Sequence, residues 1–245
     1  MKIYILYKYI MSEKHQFDNF HNAKPAFFYI YKNCPISNKL KKNLKWEKHL
    51  HDIFSEYITP NSIVIEGGCH IGSHTIKLGM LAKHVYAFEP MPSSYNLLEK
   101  NININELKNI TIFEKGLSNK CNTAYFQWIP HDNPGGSGLS DNPMGKPSWI
   151  KEEQNKLEVE LTTIDSLNLD KLDFIKLDIE GYEKLAISGG IQTIKKYKPV
   201  ITLEVWSNHN GDVDINFTKN NFKDLIDIGY KVIHISGPDF LFIPE

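Results

Sequence analysis

Arginine is absent from this 245-residue chain, so lysine supplies all 28 of its permanent cations. Without a guanidinium there is no planar, bidentate clamp for a carboxylate or phosphate, and anions must be held by lysine, backbone N–H groups or hydroxyls. The dearth of arginine alongside abundant isoleucine and asparagine marks an A/T-rich coding sequence and carries no mechanistic meaning. Cysteine is scarce. Cys34, Cys69 and Cys121 are an odd number with no CxxC pair, which excludes a disulfide scaffold or zinc knuckle and points to a reducing, cytoplasmic setting. Net charge is nearly absent too. A formal charge of -1 leaves no global field to draw the chain onto nucleic acid or anionic lipid, so no nucleic-acid partner is expected. Nor is there a long apolar run. The opening MKIYILYKYIM is broken by lysine, falls short of the roughly 20 residues of a membrane span and does not end in a small-residue cleavage site. It reads as an edge strand or packed tail, with no membrane span.

What is present is the balance of a globular protein: 41% hydrophobic, 12% aromatic and 23% charged residues, which excludes disorder, collagen and coiled coil. Residues 1–58 read as an N-terminal extension, irregular at first and then helical through WEKHLHDIFSEYI. There Trp46, Leu50, Ile53, Phe54 and Tyr57 recur at helical spacing as a core-facing stripe. Residues 59–245 read as the main domain, in which short apolar runs alternate with helical patterns as in βαβ units with a mostly parallel sheet. Ile63-Val64-Ile65, without polar alternation, predicts a strand buried on both faces. A helix from about Gly72 to Lys83, a strand Val85–Phe88, a helix opened by Pro92 and a strand Ile110–Phe113 follow. Ala124–Trp128 and Leu157–Leu161 then predict an inserted strand pair around a Gly/Pro/Asn-rich loop, His131–Pro147. Alternation resumes with Phe174–Asp178, a helix Tyr182–Tyr197 relieved at Gly189-Gly190, Val200–Glu204 and a helix Thr218–Ile228. Two closing strands joined at Gly237-Pro238 predict an antiparallel hairpin.

Three places carry chemistry. In VIEGGCHIGSHT, residues 64–75, a buried strand ends in Glu66 and turns through Gly67, Gly68 and Gly72 toward a helix. That helix start offers unpaired N–H groups for an anion, with Ser73 or Thr75 adding a hydroxyl. The G-x-G-x-x-G of a dinucleotide site fails because Cys69 occupies the second glycine position. The pattern is instead acid-x-Gly-x-x-x-Gly, with a second acid, Glu89, ending the next strand where a carboxylate can accept both ribose hydroxyls. In FIKLDIEGYE, residues 174–183, Asp178 and Glu180 stand at the carboxyl end of a central strand, the edge where open α/β sheets bind ligands. Glu204 ends the next strand, with Trp206 and His209 beyond it. Asp178, Glu180, Glu204 and His209 are the candidate general bases. The same group also suits a divalent metal such as magnesium or manganese.

VIEGGCHIGSHT, YAFEPMP, KLDIEGYE and KPVITLE, in this order and spacing from about Trp46 to Glu204, resemble the FkbM-type methyltransferases, a branch of the Rossmann-like, S-adenosylmethionine-dependent class I methyltransferases. The resemblance implies an α/β fold with a seven-stranded sheet and an antiparallel hairpin, S-adenosylmethionine as donor, and O-methylation of a sugar or other natural product. Carried onto this chain, it implies donor contacts from Glu66, Gly68, His70, Gly72 and Thr75, from Glu89 and Pro90, from Gly116-Leu117-Ser118 near the adenine, and from Asp178. Asp178 and Glu180 match the later motif, and NPGGSGLS resembles a Gly/Ser segment covering substrate or adenine. His70 stands where asparagine is common, and Cys69 and Gly116 where alanine is.

The expected function is O-methylation of a hydroxyl of a nucleotide sugar, glycan or glycolipid, so the partner is a small-molecule or glycan acceptor. RNA ribose 2′-O-methylation has only Lys176 and the N-terminal lysines for it, against a near-neutral charge. A silent methyltransferase fold has no need of the intact set of Glu66, Glu89 and Asp178. An NAD-dependent reductase lacks both the glycine spacing and a Tyr-x-x-x-Lys pair.

Overall fold

The computed structural model describes residues 13–32, 34–127, 137–139, 156–207 and 212–245. The opening eleven residues, Trp128, most of the 131–147 loop and His209 lie outside these. Among the described residues no helix is long and apolar enough to cross a membrane.

The N-terminal segment departs from the irregular reading. Strands β1 (Glu13–His21) and β2 (Lys24–Ile30) form an antiparallel hairpin. Ala26, Phe28 and Ile30 are buried on one face while Phe27 and Tyr29 between them are only half-buried, the period of two that a half-buried strand requires. The turn is Asn22-Ala23, both left-handed at φ 49° and 61°. This is the conformation of a two-residue hairpin turn usually announced by Asn-Gly, so alanine hides it. Helices α1 (Pro35–Lys41) and α2 (Lys48–Tyr57) follow.

Seven strands make the main sheet: β3 (Ile63–Gly67), β4 (His84–Phe88), β5 (Ile110–Phe113), β10 (Phe174–Leu177), β11 (Val200–Glu204), β12 (Tyr230–Ser236) and β13 (Asp239–Pro244). Their order is β12-β13-β11-β10-β3-β4-β5. Neighbours from β11 to β5 are parallel, while β13 runs antiparallel to β11 and β12, so the closing hairpin forms as predicted. The central strands β3 and β10 open on apolar residues without alternation because both faces are covered, and their polar exceptions, Glu66 and Lys176, come near the carboxyl ends. Val64 and Phe174 pack on one face into a core shared with Phe28 of the hairpin and Phe54 of α2, and Ile65 and Ile175 pack on the other.

A smaller sheet carries the inserted pair, β7 (Asn122–Gln127) and β9 (Lys156–Thr162), antiparallel to each other. The short β6 (Gly116–Leu117) joins β9 and β8 (Gly138–Leu139) joins β7. The helices are shorter than their periodicity predicts. Gly72, at φ 89°, keeps the turn going, so α3 is Thr75–Leu81. After α4 (Pro92–Ile104), the stretch read as Tyr182–Tyr197 divides at the two glycines into α5 (Glu183–Ser188) and α6 (Ile191–Tyr197). The last helix divides at Phe222 into α7 (Ile215–Asn221) and α8 (Lys223–Asp227), with the Asp214 carboxylate capping α7.

Two asparagines one turn apart, Asn101 in α4 and Asn105 at its C-cap, dock the N-terminal hairpin. Asn105 receives the Phe27 N–H at 2.8 Å and donates to the Phe27 carbonyl at 2.6 Å. Asn101 receives the Tyr29 N–H and donates to the carbonyls of Tyr29 at 3.0 Å and Ile71 at 2.7 Å. Side-chain amides spaced i, i+4 on a helix thereby satisfy alternate residues along the free edge of β2.

Candidate active site

A cleft of about 810 Å³, its open mouth included, lies over the carboxyl ends of β3, β4 and β10. The glycine loop forms its floor. Gly68 has φ 78°, and a Cβ there would lie 1.7 Å from the Asp178 carbonyl oxygen, so this crossing of the β3 and β10 ends admits only glycine. The loop is pinned by Gly68 N–H to the Phe88 carbonyl at 3.0 Å and Gly72 N–H to the Cys69 carbonyl at 2.8 Å.

Glu89 holds the loop from the other side. One carboxylate oxygen accepts the His70 N–H at 2.7 Å and the other the Met91 N–H at 2.9 Å. Burial pushes Glu89 up to about 7, while these two N–H groups and Lys176 favour its charged form. Each oxygen keeps lone-pair capacity for a further donor. Glu66 is fully buried, and its oxygens have no hydrogen bond of ordinary geometry among the described residues. Burial raises it, with Lys176, Thr75 and Cys69 pulling the other way. His70 is also left-handed, at φ 50°, and burial lowers its ring to about 4, so the imidazole is neutral.

Lys176 is the buried cation of the site. Its Nζ donates to Asp178 Oδ2 at 3.2 Å. Burial alone would lower it, but the carboxylates of Asp178, Glu66 and Glu47 more than reverse this and keep it charged. Asp178, Glu180 and Glu204 offer carboxylate oxygens all within 4.8 Å of one another. Glu204 hydrogen-bonds Asp178, and burial together with Asp178, Glu180 and Glu183 pushes it well above the usual range. Glu180, at φ 54°, is raised likewise by burial and by Asp178 and Glu183. Crowding of this kind leaves the group able to share protons, or to hold a divalent cation through oxygen ligands.

Of the residues expected from sequence, Glu66, Gly68, His70, Glu89 and Pro90 line the cleft, as do Gly116, Leu117, Asp178 and Glu180. Three stand behind it. Gly72 packs against Leu98, Thr75 is buried beside Glu66, and the Ser118 N–H is spent on the Thr162 carbonyl at 2.8 Å. Glu204 stands in the carboxylate group, and His209 lies outside the described residues. Ser137 and Leu139, from the Gly/Ser segment, also line the cleft, and Gly138 sits so close to Glu180 that a Cβ would lie 3.1 Å from its Cβ.

Sequence reasoning missed Trp46, which lines the cleft rather than the core, although Leu50 and Phe54 of the same stripe are buried. Glu47, left-handed at φ 45° and ψ 60°, precedes α2 and breaks the helical phase between them. His74, buried in the glycine loop, was also missed, since nothing local distinguishes it.

A seven-stranded sheet in this order, with one antiparallel strand and a glycine-loop cleft over the parallel strand ends, is the Rossmann-like class I methyltransferase fold. The chain belongs to the methyltransferase FkbM domain family, which it matches over residues 67–231. It is 24% identical over 198 residues to Methyltransferase sdnD of Sordaria araneosa, a match covering 64% of this chain and 71% of that one. It is 21% identical over 149 residues to Methyltransferase 1 of Beauveria bassiana, covering 53% and 58%. Among solved structures it is similar to the methyltransferase FkbM from Methylobacillus flagellatus KT, with a TM-score of 0.52 at 16% identity. That match covers 85% of this chain and 52% of the other, so the chain spans about half of that protein.

Proposed function

We propose that this protein transfers a methyl group from S-adenosylmethionine to a hydroxyl of a sugar, carried as a nucleotide sugar, glycan or glycolipid. The observation that carries the reading is the pairing, in one cleft, of Glu89 on one side with Asp178 and Lys176 on the other. Glu89 has lone pairs left for two ribose hydroxyls after its two backbone contacts. The orphaned Glu66 oxygens, buried under the glycine loop, accept hydrogen bonds from a ligand lying over it. These residues fit the donor.

S-adenosylmethionine, when bound, would supply a methyl group that its sulfonium already makes electrophilic, the carbon–sulfur bond breaking to leave neutral S-adenosylhomocysteine. The protein's work is then to align, to exclude water and to take a proton. Asp178 takes the proton of the acceptor hydroxyl as the oxygen–carbon bond forms. Lys176 steadies the resulting charges, and Glu180 and Glu204 set the proton balance around Asp178.

Calorimetric titration with S-adenosylhomocysteine, with NADH as control, tests the donor half: micromolar binding of the first alone is expected. Turnover with nucleotide sugars and methyl glycosides, with and without magnesium, tests the acceptor half. Absence of S-adenosylhomocysteine binding would remove the reading at its root.

A further inference from the structure

The corner between α1 and α2 brings two side chains to the cleft that neither the glycine loop nor the strand ends supply. Trp46 lines the cleft, as does Ile36 of α1. Lys39, also of α1, steadies the indole, its Nζ lying 4.7 Å from the ring centroid. The next residue, Glu47, adopts a left-handed backbone that non-glycine residues seldom enter. His74 of the glycine loop lies against both: its ring contacts the Trp46 backbone, and its Nε2 lies 3.6 Å from Glu47 Oε2.

The charges around Glu47 locate the corner. Asp178 and Lys176 at the end of β10 face it, as do Asp239 at the start of β13 and Lys39 of α1. Burial first, then Asp178 and Asp239, pushes its carboxyl up to about 8. The corner thus lies on the Asp178 side of the cleft. A half-buried indole next to a carboxyl group is the pairing that recognises a sugar ring, which offers an apolar C–H face and hydroxyls around its rim.

Resting on the sugar O-methylation proposed above, we propose that Trp46 and Glu47 form the acceptor subsite: the indole stacks on the apolar face of a sugar ring, and Glu47 hydrogen-bonds a hydroxyl next to the one methylated.

The test compares wild type with Trp46→Ala, Trp46→Phe and Glu47→Gln. S-adenosylhomocysteine affinity is measured by calorimetry, and turnover is measured on a panel of nucleotide sugars and methyl glycosides. Donor-product affinity should stay within about twofold in all variants. KM for the best acceptor should rise about tenfold in Trp46→Ala and Glu47→Gln and less in Trp46→Phe, with kcat changing less than KM. Trp46→Phe and Glu47→Gln carry the comparison if Trp46→Ala does not fold. Unchanged KM, or donor-product affinity falling in step with turnover, overturns the subsite while leaving the sugar reading intact. A wild type that binds S-adenosylhomocysteine yet methylates no sugar in the panel overturns both.

Discussion

The His70 N–H donates to the Glu89 carboxylate at 2.7 Å, so the loop after β3 and the acid ending β4 are one unit: whatever changes the charge on Glu89 changes the loop. Burial places Glu89 at about 7. Below that pH its carboxyl carries a proton and loses acceptor capacity, and above it the carboxylate accepts from ribose hydroxyls at full strength. Donor affinity should therefore rise between pH 6 and pH 8, and Glu89→Gln should flatten the rise. Glu89→Ala should weaken S-adenosylhomocysteine binding about tenfold or more. Calorimetry at three pH values decides it, and a flat wild-type profile counts against the ribose assignment.

Asp178→Asn should lower turnover at least about a hundredfold, the size of a lost general base, while S-adenosylhomocysteine still binds. The buried Lys176 keeps Glu66 and Glu47 nearby, so the fold should survive. Lys176→Met leaves the same carboxylates without their cation and should cost on the order of 3 kcal/mol. Urea unfolding of both variants separates the two effects. Wild-type turnover by Asp178→Asn would strike it from the catalytic set.

Two glycines of similar backbone angle separate crowding from conformational strain. Gly68 has φ 78° with the Asp178 carbonyl in the space of a Cβ, whereas Gly229 has φ 86° and nothing within 4 Å. Gly229→Ala should cost about 1 kcal/mol, the left-handed strain alone. Gly68→Ala should cost several kcal/mol more or fail to fold. Equal losses in urea unfolding would show that the strand ends give way easily.

Asn101→Ala and Asn105→Ala each strip partners from the β2 backbone and should cost about 1–3 kcal/mol apiece. The double variant should expose residues 13–30 to limited proteolysis before the main sheet unfolds. Resistance equal to wild type would mean that Phe28 and its apolar neighbours hold the hairpin unaided.

The main sheet was readable because a parallel strand covered on both faces shows no polar alternation: Ile63–Ile65 is wholly apolar, and Phe174–Leu177 is apolar except at Lys176. Glu66, Glu89, Asp178 and Glu180 were readable because each ends a strand, and strand ends converge in space. The hairpin hid behind Ala23, whose left-handed turn has no glycine to mark it. Trp46 was misplaced because periodicity assumes a continuous helix, and left-handed Glu47 interrupts it. Lys176 pairs locally with Asp178, but its interactions with Glu66 and Glu47, like the contacts of His74 with Trp46 and Glu47, join distant parts of the chain, and no local pattern expresses that. Helix ends were overrun wherever glycine or Phe222 divided a periodic stretch.

On the hairpin, the Asn101 and Asn105 side-chain amides hydrogen-bond only the main chain, at Phe27 and Tyr29. A clasp on backbone atoms is indifferent to the side chains it passes over. The exposed first residues of β2, Lys24 and Pro25, take no part in it, which makes this end of the strand a place to append a surface charge or a partner-binding patch while the Trp46 corner, farther along the same chain, stays in register with the cleft.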